Sequence, residues 1–228
     1  MGHAIVEEEA QKGHEVFILS SKHTQISSTH RKNTHFVNFD LTDSDENIDV
    51  FLTSLLNKKI HKLYFCSIIV KYGSLISKNK SVISNEIKWN ITLPVIIIRK
   101  FLQKNPDIHF IYILSHICFL YNNGFTLYRM IKKSLESFLM SLEIEFPKLK
   151  ITRVYPGSIN TNFSKNVEYS GLTFFKGVDP DVLAREIVRS RGGVVISKGN
   201  RLMQVISQIL PFSLQKWVYT RYILKSRK

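Results

Sequence analysis

Tyr128 and Lys132 stand four residues apart in a stretch, Thr126–Glu145, that reads as a helix. Residues so spaced share one helix face. An ammonium close to a phenol favours the phenolate and lowers its pKa from about 10, so such a tyrosine could work as a general acid or base near neutral pH. Alone the pair is weak, because Tyr-x-x-x-Lys arises by chance in many helices. Its neighbourhood strengthens it. Ser115 lies 13 residues before Tyr128, at the end of the apolar run Ile108–Leu114, where a hydroxyl could hydrogen-bond a substrate carbonyl. His116 follows it and could line the same pocket. Asn90 sits inside a long helical pattern, a poor place for an amide without a specific partner. Asp40-Leu41 ends one apolar run, and Pro156-Gly157-Ser158-Ile159-Asn160-Thr161 follows another.

Those residues need a scaffold, and the pattern alternates helix with strand. Apolar runs at EVFIL, HFVN, KLYFCSII, IHFIYIL, KITRVY and GVVIS predict strands. Between them lie helical patterns, one of them Asn85–Gln103, which Pro94 should bend. Strands apolar on both faces and separated by helices predict an α/β fold, a three-layer, doubly wound parallel sheet. Ligands of such sheets sit beyond the carboxyl ends of the strands. The expected division is one α/β domain over 1–198 and a basic, amphipathic tail over 199–228.

In order and spacing, these positions resemble the short-chain dehydrogenase/reductase family, whose fold is Rossmann-like. The resemblance implies a catalytic tetrad of Asn90, Ser115, Tyr128 and Lys132. It implies cofactor contacts at Asp40-Leu41, beside the adenine, and along Pro156, Gly157, Ile159 and Thr161, beside the nicotinamide. The implied reaction interconverts a ketone and a secondary alcohol. Tyr128 would donate the proton, Lys132 would depress the tyrosine pKa and hold the nicotinamide ribose, Ser115 would polarise the carbonyl, and Asn90 would steady a water.

Two departures from the family pattern stand out. The family opens with a strand and Thr-Gly-x-x-x-Gly-x-Gly, which holds the pyrophosphate at a helix start. Here only Met1-Gly2-His3-Ala4-Ile5 corresponds, so Gly2 alone remains from that cradle and the first strand is expected to be missing. Its neighbours would then lack ladder partners. One explanation is that Met1 is an internal methionine of a longer protein. The second departure is at Phe65-Cys66-Ser67-Ile68, where the family carries Asn-Asn-Ala-Gly; Cys66 and Ser67 would take over the adenosine contact. Ser20, Ser21 and Lys22 follow the first visible strand, where an acid would select NAD. Hydroxyls and a cation suit a 2′-phosphate, so NADP is favoured over NAD.

The chain has 228 residues, 44% hydrophobic and 22% charged, enough to bury a core, which excludes a disordered chain or a disulfide-stapled miniprotein. Two cysteines and the absence of a basic-then-apolar opening point to a reducing, cytoplasmic setting. Net charge is +14, yet no acidic residue follows Glu186, and nine basic residues crowd the last 42. The charge is therefore largely a property of the tail, and no nucleic-acid module accompanies it. The eight histidines show no metal-ligand spacing. Within the tail, Leu202, Val205, Ile206, Ile209 and Leu210 recur at helical spacing, and Trp217, Tyr219 and Tyr222 lie among basic residues. Such a stripe suits the inner face of a membrane, a cover over a cleft or a subunit contact, a homo-oligomer being usual in families of this kind. The tail and the altered Asn-Asn-Ala-Gly segment resemble the decaprenylphosphoryl-ribose keto-reductase branch, which implies a lipid-linked ketone. The competing expectation is a catalytically impaired relative serving as an interaction protein.

Overall fold

Five consecutive residues, His109–Ile113, are all buried, and from Phe110 onward their side chains alternate between two separate cores. This is β4, and burial explains why its sequence is apolar after His109: a strand covered on both faces has no solvent side. In this computed structural model the described residues are 1–20, 32–40, 42–119, 121, 124–160, 177–197 and 200–218.

The strands are β1 (Val16–Ser20), β2 (Thr34–Asn38), β3 (Lys62–Phe65), β4, β5 (Lys150–Tyr155) and β6 (Gly193–Ile196). All pairings are parallel. The helices are α1 (Gly2–Gln11), α2 (Asp45–Leu56), α3 (Lys80–Ile87), α4 (Leu93–Lys104), α5 (Thr126–Glu145), α6 (Pro180–Arg189), α7 (Asn200–Ile209) and α8 (Phe212–Val218). One core gathers Leu52 of α2, Ile98 of α4 and Ile131, Leu135 and Leu139 of α5 against Phe110 and Ile151. The other gathers Ala4 and Ile5 of α1 and Leu183, Ala184 and Ile187 of α6 against Ile111, Ile113 and Val154. Helices thus cover both faces of the sheet, giving the expected three layers.

The sheet is split. Among the described residues β1 pairs with β2 alone, while β3, β4, β5 and β6 form a separate ladder in that order. Among the described residues no strand joins β1 to β3. Their connection runs through side chains. Glu9 of α1 accepts hydrogen bonds from Lys62 and Tyr64 of β3, while α1 also touches β1. Leu19 of β1 and Leu63 and Phe65 of β3 pack on the same core.

Two expectations are corrected. The run KLYFCSII forms a strand only as far as Phe65, because the ladder with β4 ends at Tyr112 and the chain then leaves the sheet. The long helix also does not simply bend at Pro94. It is α3 and α4 joined by a π-helical turn over Lys88–Thr92, in which the Leu93 N–H reaches back to the Lys88 carbonyl. Pro94 has no N–H to give to the carbonyl of Asn90, four residues before it, and a widened turn relieves that mismatch. Asn90 fills the opening: its Nδ2 donates to the Glu86 carbonyl at 2.7 Å.

Candidate active site

Ser115 leaves β4 in extended conformation and caps the short 3₁₀ turn His116–Cys118, its Oγ accepting the Ile117 N–H at 3.2 Å. It is buried, as is Tyr128, and its hydroxyl lies near enough to the phenol to pull the Tyr128 pKa down. Tyr128 belongs to the first turns of α5. Lys132 lies one turn further on the same buried face, which also carries Leu127, Ile131 and Leu135. This apolar stripe places a phenol and an ammonium where β4 ends.

The electrostatics differ from the sequence expectation. Burial pushes the Tyr128 phenol up to about 12; the Ser115 hydrogen bond pulls it down, and Cys118 adds slightly to the rise. Lys132 does not offset this. Its Nζ donates to the Ile113 carbonyl at 2.7 Å and lies 5.7 Å from the centre of the Tyr112 ring. Burial lowers the lysine to about 8, only partly countered by Cys118 and Cys66. Spacing brought the two groups onto one face, but desolvation outweighs their mutual influence.

The other expected residues fall into place unevenly. Cys66 is near Gly2, where an added Cβ would sit 3.6 Å from the Cys66 Cβ. Burial holds the thiol up at about 11, against the pull of the amino terminus and Lys132. Ser67, next in the chain, is exposed. Asn90 spends both amide protons on backbone carbonyls, of Ile69 and Glu86, and its Oδ1 accepts the Ile69 N–H. It is first of all a clamp, with one Oδ1 lone pair left for a water. His116 is tied at its backbone N–H and at Nδ1 to the Pro156 carbonyl, at 2.9 and 3.2 Å. Burial lowers its pKa, outweighing the hydrogen bond to Pro156. It joins the two turns that follow β4 and β5.

Beyond β5, the Gly157 N–H donates to Ser197 Oγ at 3.2 Å, and Ile159 forms a parallel bridge with Val178. Gly177 has no room for a side chain: a Cβ would meet Asn160 Oδ1 at 1.9 Å. Ser20 ends β1, its carbonyl accepting the Phe39 N–H. Asp40 is exposed and uses its carboxylate on the Thr42 N–H and hydroxyl, both at 2.8 Å. Ser21, Lys22, Leu41 and Thr161 lie outside the described residues.

Sequence reasoning missed three contributors. Ser197 steadies Gly157. Tyr72 packs its ring against Tyr128. Glu86, buried four residues before Asn90, forms an ion pair with Lys78 at 2.9 Å. Only Glu86 left a trace in the sequence, as an acid one helical turn from a buried amide.

The residues suit a nicotinamide nucleotide at one end more than at the other. The Lys132 ammonium carries three donors and gives one to the Ile113 carbonyl, so it can also serve a ribose. The pyrophosphate end offers Gly2 and the start of α1, whose first position has no side-chain cap.

Parallel strands with a serine, a tyrosine and a buried lysine at their carboxyl ends define an α/β oxidoreductase of the Rossmann type. The chain belongs to the short chain dehydrogenase family, whose model matches residues 1–170. No curated protein matches it in sequence. Among solved structures it is similar to a short-chain dehydrogenase from Streptomyces avermitilis, with a TM-score of 0.78 and 17% identity over 99% of this chain and 93% of that one. It is also similar to ElxO with NADP bound, with a TM-score of 0.71 and 20% identity over 88% and 94%. A third is 4-hydroxyisoleucine dehydrogenase complexed with NADH, with a TM-score of 0.70 and 17% identity over 86% and 91%.

Proposed function

We propose that the chain reduces a ketone to a secondary alcohol, using NADP(H) with NAD(H) as the alternative. The observation carrying this reading is the buried Ser115 hydroxyl beside the Tyr128 phenol, one turn from the buried Lys132. Bound, a reduced nicotinamide nucleotide supplies hydride. The chain's own residues do the rest. The Ser115 hydroxyl orients and polarises the carbonyl oxygen. Tyr128 Oη then passes its proton to that oxygen as the negative charge develops. A phenol held at about 12 stays protonated at neutral pH and so has a proton to give. Lys132 holds the ribose side, and Asn90 keeps the Ile69 segment in place beside it. Ser20, Ser21 and Lys22 favour NADP. ElxO, similar in fold, binds NADP, and 4-hydroxyisoleucine dehydrogenase binds NADH.

The finer part of the proposal concerns the substrate, which we place among lipid-like or lipid-linked ketones. Support comes from α7 and α8, which expose Val205, Ile209, Phe212, Leu214 and Trp217 beside Arg201 and Lys216. Phe212 packs edge-on against Tyr121, 5.3 Å away, in the loop before α5. Among the described residues no helix is long and apolar enough to cross a membrane. The pair suits peripheral contact with an anionic surface on the cytoplasmic side, and the chain would act as a homo-oligomer.

Titration with NADPH, followed by nicotinamide fluorescence, tests the core of this reading. Wild type and Tyr128→Phe should both bind, and only wild type should oxidise NADPH with a ketone. No binding by either would leave the non-catalytic, interacting relative as the reading. Turnover unchanged in Tyr128→Phe would remove Tyr128 from the mechanism.

A further inference from the structure

Beside the Tyr128 phenol lies a small aromatic surface. Tyr72 meets Tyr128 edge-on, with centroids 5.6 Å apart and an interplanar angle of 64°. Phe125 completes the group, 5.0 Å from Tyr72 and 6.1 Å from Tyr128. The Tyr72 hydroxyl is buried, yet Tyr72 and Phe125 as residues keep part of their surface open, whereas Tyr128 is buried.

The segment carrying Tyr72 is fastened on both sides of it. Asn90 holds the backbone of Ile69 at both its N–H and its carbonyl. The Lys71 N–H donates to Glu86 Oε1 at 2.7 Å, and the Gly73 N–H donates to the Gly124 carbonyl at 3.0 Å. Gly73 and Gly124 both have positive φ, 133° and 77°, a conformation that side chains oppose. Lys78 donates to both Glu86 oxygens, at 2.9 and 3.3 Å, and the two side chains are 6% and 3% exposed. Buried charges persist only when paired, so this pair is a fixed clasp whose charges are spent on each other. Tyr72 is therefore pre-positioned, with nothing ionic to offer a ligand.

We propose that Tyr72 and Phe125 form a specificity platform on which a ring of the substrate packs, so that the chain selects ketones whose carbonyl adjoins or lies within an apolar or aromatic ring. This deepens the reductase reading, because it rests on Tyr128 as the proton donor. Edge and face contacts between rings reward such substituents, and small aliphatic chains gain little from them.

Two ketones and two variants test it. In wild type, acetophenone should be preferred to 2-butanone in kcat/KM. Tyr72→Leu should lower kcat/KM for acetophenone by about tenfold while leaving 2-butanone within about twofold, and Tyr72→Phe should keep both. Equal losses on both ketones in Tyr72→Leu would overturn the platform. Should Tyr72→Leu fail to fold, Phe125→Leu takes its place with the same expected split. Saturation-transfer NMR of acetophenone reads packing without turnover. Transfer to the aryl protons should be present in wild type, lost in Tyr72→Leu and kept in Tyr72→Phe. No transfer to wild type, or transfer indifferent to Tyr72→Leu, would overturn the platform. Ring transfer without any NADPH oxidation would instead overturn the reductase reading and leave the platform standing.

Discussion

Asn90 grips a single residue, Ile69, from both sides: Oδ1 accepts its N–H at 3.0 Å and Nδ2 donates to its carbonyl at 2.7 Å. The pairing imitates one rung of a β-ladder, made by a side chain instead of a strand. It occurs where β3 has just ended and the chain has left the sheet, so it satisfies backbone groups that no strand serves.

Replacing Asn90 with Leu should therefore destabilise the fold by about 2–4 kcal/mol, because three hydrogen bonds go and buried backbone groups lose their partners. Urea unfolding measures this. Asn90→Asp, which keeps the acceptor and loses the donors, should fall between. A change below about 0.5 kcal/mol in Asn90→Leu would mean that the clamp is incidental.

Lys132 is held at the expense of stability. Its pKa is lowered to about 8 by burial, so the fold disfavours its charged form. Below pH 8 both folded and unfolded chains carry this proton, and the full penalty applies. Between about 8 and the ordinary value of 10.5 the unfolded chain holds more protons, so stability from this group rises with pH. Lys132→Met should stabilise the protein at pH 7 by on the order of 1–3 kcal/mol while weakening NADPH binding, with the gain shrinking toward pH 10.5. Chemical denaturation at the two pH values checks both parts. A Met variant less stable at pH 7 would contradict the burial argument.

Glu9 works in the opposite sense. Burial raises its pKa, but hydrogen bonds from Tyr64, Lys62 and His14 outweigh that and hold the carboxyl below its usual 4.5. The stability it contributes is fully present above pH 4.5 and disappears as pH falls through the depressed value. Glu9→Gln should lower the melting temperature at pH 7 and flatten its decline below pH 4.5. Parallel acid transitions for the two proteins would show that Glu9 does not govern this window.

Much of the scaffold is legible in the chain alone. α5 and β5 run over Thr126–Glu145 and Lys150–Tyr155, because a strong apolar period and Pro147 fix the first, and burial on both faces the second. The Ser115–Tyr128 pairing follows from one strand end and one helix face. What stayed hidden depends on distance in space. The π turn needs Pro94 and Asn90 to act together, and neither residue announces it alone. Tyr72 reads as loop, and only the crossing of Gly73 with Gly124 brings it to Tyr128. The inversion of the Tyr128–Lys132 electrostatics comes from how deeply both are buried, which spacing does not encode. Asp40 ends its strand as expected, yet its carboxylate is occupied by Thr42 two residues on.

Among the described residues the ladder is interrupted between β1 and β3, leaving two plates riveted by α1 and a shared oily seam. Main-chain cooperativity cannot cross such a seam, so the plates need not melt together. The two-stranded plate should shed its protection against solvent deuterium first under mild urea, with β4 and β5 the last to yield.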